Sequence, residues 1–116
     1  MIKKHLESYR YAFSGIFFAI RSEKNMIIHL VAALAVMVLN YILEISRLEW
    51  LITVILIGVV IAAEIFNTAI EKLADRVTTE QDDLIGRVKD LSAGAVLVVC
   101  IAAAVGGVII YWPYLV

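Results

Sequence analysis

Cysteine, proline and charge are all scarce in this chain. One cysteine, Cys100, stands inside an apolar run, which excludes a disulfide framework and a paired-thiol metal site. One proline, Pro113, lies close to the end, so no ring interrupts a helix over the rest of the sequence. Charged residues make up 18% and balance to a net charge of −1. No basic stripe with interleaved aromatics runs through them, so no nucleic-acid partner is expected. Also absent are the G-x-x-x-x-G-K-S/T loop and the H-R-D and D-F-G signatures, which excludes the soluble nucleotide-binding folds that carry them. No compact apolar core with a small-residue cleavage site follows Met1 to Arg10, so the amino terminus is not expected to be a cleaved leader.

What the chain has in excess is hydrophobicity. Its residues are 63% hydrophobic, with a mean hydropathy of +0.94; a soluble domain is roughly half apolar at most. Three runs carry the excess. Residues 26–43 are interrupted only by His29 and Asn40, residues 50–70 contain one formal charge, Glu64, and residues 91–116 contain none. Crossing a bilayer takes about 20 residues of helix, and in lipid a single segment satisfies its backbone only as a helix. Tyr41 and Trp50 bracket the first connection, and Tyr111, Trp112 and Tyr114 mark the far end of the third run, as an interfacial aromatic belt requires.

Ahead of these runs, Ile2, Leu6, Tyr9, Phe13, Ile16, Phe17 and Ile20 recur at three- and four-residue steps, with Lys3, Lys4, Glu7, Arg10, Ser14 and Arg21 between them. This describes an amphipathic helix lying in the membrane interface; a soluble-facing helix packed on a partner is the alternative. The expected architecture is one all-α membrane domain over residues 1–116. It comprises a surface helix at 1–23 and spans at about 26–44, 49–73 and 90–112. Lys3, Lys4, Arg10, Arg21 and Lys24 precede the first span, only Arg47 follows it, and Lys72, Arg76, Arg87 and Lys89 lie between the second and third. The positive-inside rule then puts the amino terminus and the loop at 71–90 in the cytoplasm and the carboxyl terminus outside. The expected location is the inner or plasma membrane.

The chemistry gathers at that cytoplasmic end. Advancing about 100° per residue from Glu64 places Asn67 near −60°, Thr68 near +40°, Glu71 near −20° and Asp75 near +20°. Acidic, amide and hydroxyl groups thus share one helical stripe, and Glu64 lies about 10 Å deeper than Glu71. An ionisable residue inside a span costs roughly 2.5 kcal/mol or more, which makes Glu64 a candidate functional group. A protonated, hydrogen-bonded Glu or interfacial snorkelling is the plainer reading, weakened by Asn67 and Glu71 on the same face. Glu23, just before the first span, and Lys89-Asp90, just before the third, fall on the same side of the membrane.

Glu-Ile-Phe-Asn-Thr-Ala-Ile-Glu (64–71), Asp75-Arg76 and Gly-Arg-Val-Lys-Asp-Leu-Ser-Ala-Gly-Ala-Val (86–96) resemble the prokaryotic diacylglycerol kinase family, which includes the undecaprenol kinases of Gram-positive bacteria. The likeness spans nearly the whole chain, and Ser22-Glu23-Lys24-Asn25 with Ile28-His29-Leu30 looks more like the Gram-positive lipid-alcohol branch. The resemblance implies a homotrimer with active sites shared between subunits. It also implies Mg-ATP as phosphoryl donor and a lipid alcohol as acceptor, undecaprenol first and diacylglycerol second. It makes Glu64 the general base with Asn67 beside it, and Glu23 and Glu71 the carboxylates holding Mg2+ on the ATP phosphates. Lys89 becomes a phosphate contact and Asp90 a nucleotide contact, with Asp75, Tyr11 and Lys4 as further nucleotide positions.

Physical chemistry is consistent with these roles. Phosphoryl transfer needs in-line positioning and charge neutralisation more than covalent help, and magnesium prefers a few carboxylates completed by water and phosphate oxygens. A deep Glu64 meets a substrate from the lipid, and a shallow Glu71 one from water. Two other classes compete: a small proton-coupled transporter, which would favour four spans, and a non-enzymatic assembly subunit whose carboxylates pair with a partner's basic residues. Elsewhere, His29 reads as a packing histidine, and Asn40 and Thr53 as interhelical hydrogen-bonders. The small residues from Ser92 to Gly107 suit close helix contact, and Cys100 reads as packing.

Overall fold

Hydrophobes at helical spacing interleaved with charge make the first 22 residues one amphipathic helix. In the computed structural model, which describes residues 1–116, this helix is α1, Ile2–Ser22. Glu23 then adopts an extended conformation, φ −129° and ψ 123°, so the chain turns out of α1 at once into α2, Lys24–Ile42. Two longer helices complete the chain, α3 at Arg47–Val77 and α4 at Asp83–Leu115. All three of α2, α3 and α4 are long and apolar enough to cross a membrane, with mean hydropathies of 2.0, 2.3 and 2.7. The protein is an all-α membrane protein.

The α2–α3 connection is built from caps. At its start the Ile45 N–H donates to the Asn40 carbonyl and the Glu44 N–H to that of Tyr41, the paired bonds of a Schellman motif. The motif requires a left-handed residue at Glu44, whose φ is 51°, and it buries the following Ile45. At its end Ser46 and Glu49 form a reciprocal capping box, satisfying donors that the first turn of α3 would otherwise strand. α2 ends at Ile42, two residues short of the expected boundary, because this turn begins there.

α3 is the centre of the fold. It packs against α4 along most of its length and also against α2 and the end of α1, whereas α2 and α4 flank it without packing closely on each other. The result is a slab of 51 × 43 × 21 Å. Gly106 of α4 permits the closest approach, since a Cβ there would stand 3.1 Å from Cδ1 of Leu56. Only 11 of the 116 residues are buried, so most Leu, Ile and Val side chains face outward, as lipid-exposed helices require.

The stretch at 71–90, expected as a loop, is mostly helix. α3 continues to Val77 and α4 begins at Asp83, because no Gly or Pro interrupts 71–77 and Asp82 caps α4 by accepting from the Ile85 N–H at 3.0 Å. At the opposite end, the Tyr114 hydroxyl donates to Glu49, which keeps the end of α4 level with the start of α3. At 31 and 33 residues, α3 and α4 both exceed the ~20 residues that a span requires.

Candidate active site

Glu64 is 2% exposed, a carboxylate on α3 within the apolar region. It accepts no side-chain hydrogen bond; its one polar neighbour is Nε2 of His29 on α2, 3.5 Å from Oε2. This pairing follows from the register of the α2–α3 hairpin. Further toward the Schellman turn, Nδ2 of Asn40 donates to the Thr53 hydroxyl at 2.9 Å. Asn40 lies 11 residues after His29, and Thr53 lies 11 residues before Glu64. Eleven residues are about three helical turns, so the two polar contacts lie on one face of each helix. Asn40 is wholly buried and also accepts from the Tyr111 hydroxyl of α4, while Thr53 donates to the Trp50 carbonyl at 2.9 Å. One buried polar cluster thereby ties three helices together at the end remote from Glu64.

The rest of the stripe on α3 turns toward α4. Oδ1 of Asn67 accepts from the Ser92 hydroxyl at 2.7 Å, and Asp75 pairs with Lys89. Thr68 is buried, and its hydroxyl donates to the Glu64 main-chain carbonyl at 3.0 Å. The stripe is thus divided between two neighbours, Glu64 facing α2 and Asn67 with Asp75 facing α4.

Glu71 is half-buried one helical turn short of Asp75, and Glu23 is half-buried at the α1–α2 break. Lys72 brings these regions toward each other: its Nζ lies 5.9 Å from the centroid of the Phe18 ring on α1, within cation–π range. Neither the Glu23 nor the Glu71 side chain has a hydrogen bond or ion pair, and no group of three or more His, Cys, Asp or Glu residues is placed to hold a metal ion. Magnesium takes few protein carboxylates and completes its shell with water and phosphate oxygens, a demand that uncommitted side chains of this kind fit. Asp90, Lys4 and Tyr11 are exposed and have no polar contact with the rest of the chain.

A cavity of about 210 Å³ lies between α2, α3 and α4 in the apolar region. Its wall is aliphatic apart from His29, Thr53, Cys100 and Tyr111. Glu64 does not line it; His29 stands between the cavity and the carboxylate.

Two contacts of the candidate site residues, His29 with Glu64 and Ser92 with Asn67, do not show in the sequence pattern of any one helix. His29 reads from its span as packing, and Ser92 as one of several small residues. The usable signal for His29 was its spacing from Asn40, which matches the spacing between Thr53 and Glu64. Ser92 gave no comparable signal.

Comparison with known proteins follows the same lines. Residues 10–111 match the family model described as prokaryotic diacylglycerol kinase. The chain is 35% identical to the undecaprenol kinase of Bacillus subtilis over 114 residues, 98% of this chain and 93% of that relative. It is 32% identical to the diacylglycerol kinase of Escherichia coli over 84 residues, 72% of this chain and 69% of that relative. With the diacylglycerol kinase of Haemophilus influenzae it shares 28% identity across 92% of both chains.

Proposed function

This chain belongs to the prokaryotic diacylglycerol kinase family, and we propose that it transfers the γ-phosphate of Mg-ATP to the hydroxyl of a membrane lipid alcohol, undecaprenol in preference to diacylglycerol. The observation that carries this reading is the 35% identity to an undecaprenol kinase across 98% of this chain and 93% of that relative. The diacylglycerol kinases match at lower identity, and diacylglycerol is the second acceptor to test. The transporter and assembly-subunit readings have no comparable support.

The reaction is an in-line displacement. The lipid hydroxyl oxygen attacks the γ-phosphorus, its new P–O bond forms as the bond to the β-phosphate oxygen breaks, and ADP leaves. The hydroxyl proton passes to Glu64, a group deep enough to meet a headgroup hydroxyl from within the lipid. Asn67, whose Oδ1 accepts from Ser92 of α4 at 2.7 Å, would support the base from the adjoining turn of α3. Glu23 and Glu71 would hold Mg2+, which supplies charge neutralisation on the phosphates when bound. Lys89 gives a point charge for phosphate. Its side chain is 38% exposed and that of its partner Asp75 54% exposed; an ion pair that open contributes about 0–1 kcal/mol, so exchanging Asp75 for a phosphate costs little. Asp90, Tyr11 and Lys4 complete the nucleotide contacts.

The remaining parts of the reading concern the assembly. The Lys/Arg distribution favours the amino terminus and the 71–90 end on the cytoplasmic side, where ATP is available. A homotrimer with active sites shared between subunits would cover part of the outward apolar surface. One experiment tests the activity directly. The purified protein in detergent is given labelled ATP and magnesium, with undecaprenol and diacylglycerol offered separately; absence of label in both lipids refutes the reading. If label enters, Glu64→Gln lowers transfer by about 10²–10⁴-fold while ATP binding persists.

A further inference from the structure

We infer that His29 is a positioning residue for Glu64, holding Oε2 so that Oε1 remains free to take the proton of the lipid hydroxyl. This rests on the lipid-kinase reading. A carboxylate buried as deeply as Glu64 is costly when ionised unless a donor or cation faces it. No hydrogen-bond donor reaches its side chain, and the polar group within ion-pair distance is Nε2 of His29, 3.5 Å from Oε2. An imidazole can present a ring N–H as donor, so Nε2 is the group able to hold Oε2. The contact engages one carboxylate oxygen and leaves the other uncommitted.

Three features separate this from ordinary packing. The His29 side chain keeps 20% of its surface exposed, and the residue lines the cavity between α2, α3 and α4. It is therefore the side chain that meets both the apolar cavity and the buried carboxylate. Its register is fixed independently, three turns away, by the bond between Asn40 and Thr53. The charged groups next along α3 engage elsewhere: Lys72 stands over the Phe18 ring of α1, Asp75 is paired with Lys89 on α4, and Glu71 lies about two turns from Glu64. No other basic group competes for Glu64 within ion-pair distance.

The test compares His29→Gln with His29→Met in detergent, using undecaprenol and labelled ATP. Gln keeps an N–H donor and Met keeps comparable bulk without one, so a packing role treats them alike. The expected result is that His29→Met lowers kcat about tenfold or more, equivalent to about 1.4 kcal/mol of barrier, with the KM for ATP little changed. His29→Gln retains more of the activity. His29→Ala, which opens space beside the cavity, regains activity when imidazole is added, whereas Glu64→Gln does not. Combining His29→Met with Glu64→Gln adds nothing to the loss from Glu64→Gln alone, because both act through one carboxylate. Equal kcat for the Gln and Met variants, or losses that multiply in the double variant, overturns the inference while leaving the kinase reading intact. A wild-type protein that labels neither lipid overturns both.

Discussion

Truncating Asn40 should loosen the protein at the far end of the membrane and slow the reaction about 16 Å away, as measured along α2. Asn40 is fully buried and makes two interhelical bonds, donating to Thr53 at 2.9 Å and accepting from Tyr111. Interhelical hydrogen bonds in membranes contribute on average about 0.6 kcal/mol each and at most about 1.7. Asn40→Ala removes both, so the expected loss is about 1–3 kcal/mol. Thr53 keeps its bond to the Trp50 carbonyl, so Tyr111 is the group left without a partner, and the coupling should concentrate there. Tyr111→Phe alone should cost about 0.6 kcal/mol or somewhat more. The assay is unfolding of the micellar protein with increasing SDS, followed by the fluorescence of Trp50 and Trp112. A double-mutant cycle of Asn40→Ala with Tyr111→Phe should give a loss smaller than the sum of the two, since either change breaks the same bond. Strict additivity, or an unchanged midpoint for Asn40→Ala, would refute the claim that this cluster holds three helices. Because the same register sets His29 opposite Glu64, kcat should fall in Asn40→Ala while ATP affinity is retained.

Other expectations follow from single contacts. Glu44→Gly should stabilise the protein by about 1 kcal/mol, since a left-handed conformation costs a β-carbon-bearing residue about 1–2 kcal/mol; the same SDS titration measures it. Gly106→Leu should destabilise by about 1–3 kcal/mol through overpacking, because even a Cβ there meets Leu56 at 3.1 Å. Lys89→Ala should raise the KM for ATP with little effect on stability, whereas Asp75→Asn frees Lys89 and should leave stability within about 1 kcal/mol of wild type. Glu64→Gln should reduce phosphoryl transfer by about 10²–10⁴-fold, the usual contribution of a general base, with nucleotide binding measured separately as the control.

Much of the site was legible because its signals are local. Hydropathy alone marks three spans, since lipid admits only a helix there, and the three- and four-residue rhythm marks α1. The stripe from Glu64 to Asp75 follows from helical spacing, and Ser46, Glu49 and Asp82 are cap residues readable from type and position. The 71–90 stretch reads as a connection because the apolar runs end on either side of it, yet 71–77 contains no helix breaker and α3 runs to Val77.

What the sequence by itself determined, then, is the set of helices and which residues share a face. What only the tertiary structure decided is which neighbour each face meets: His29 against Glu64, Ser92 against Asn67, and Tyr111 against Asn40. Periodicity is a property of one helix. Partners across helices depend on hairpin register and crossing geometry. The Schellman turn at Glu44 and the close approach at Gly106 set these together, and neither shows in the pattern of the spans they align.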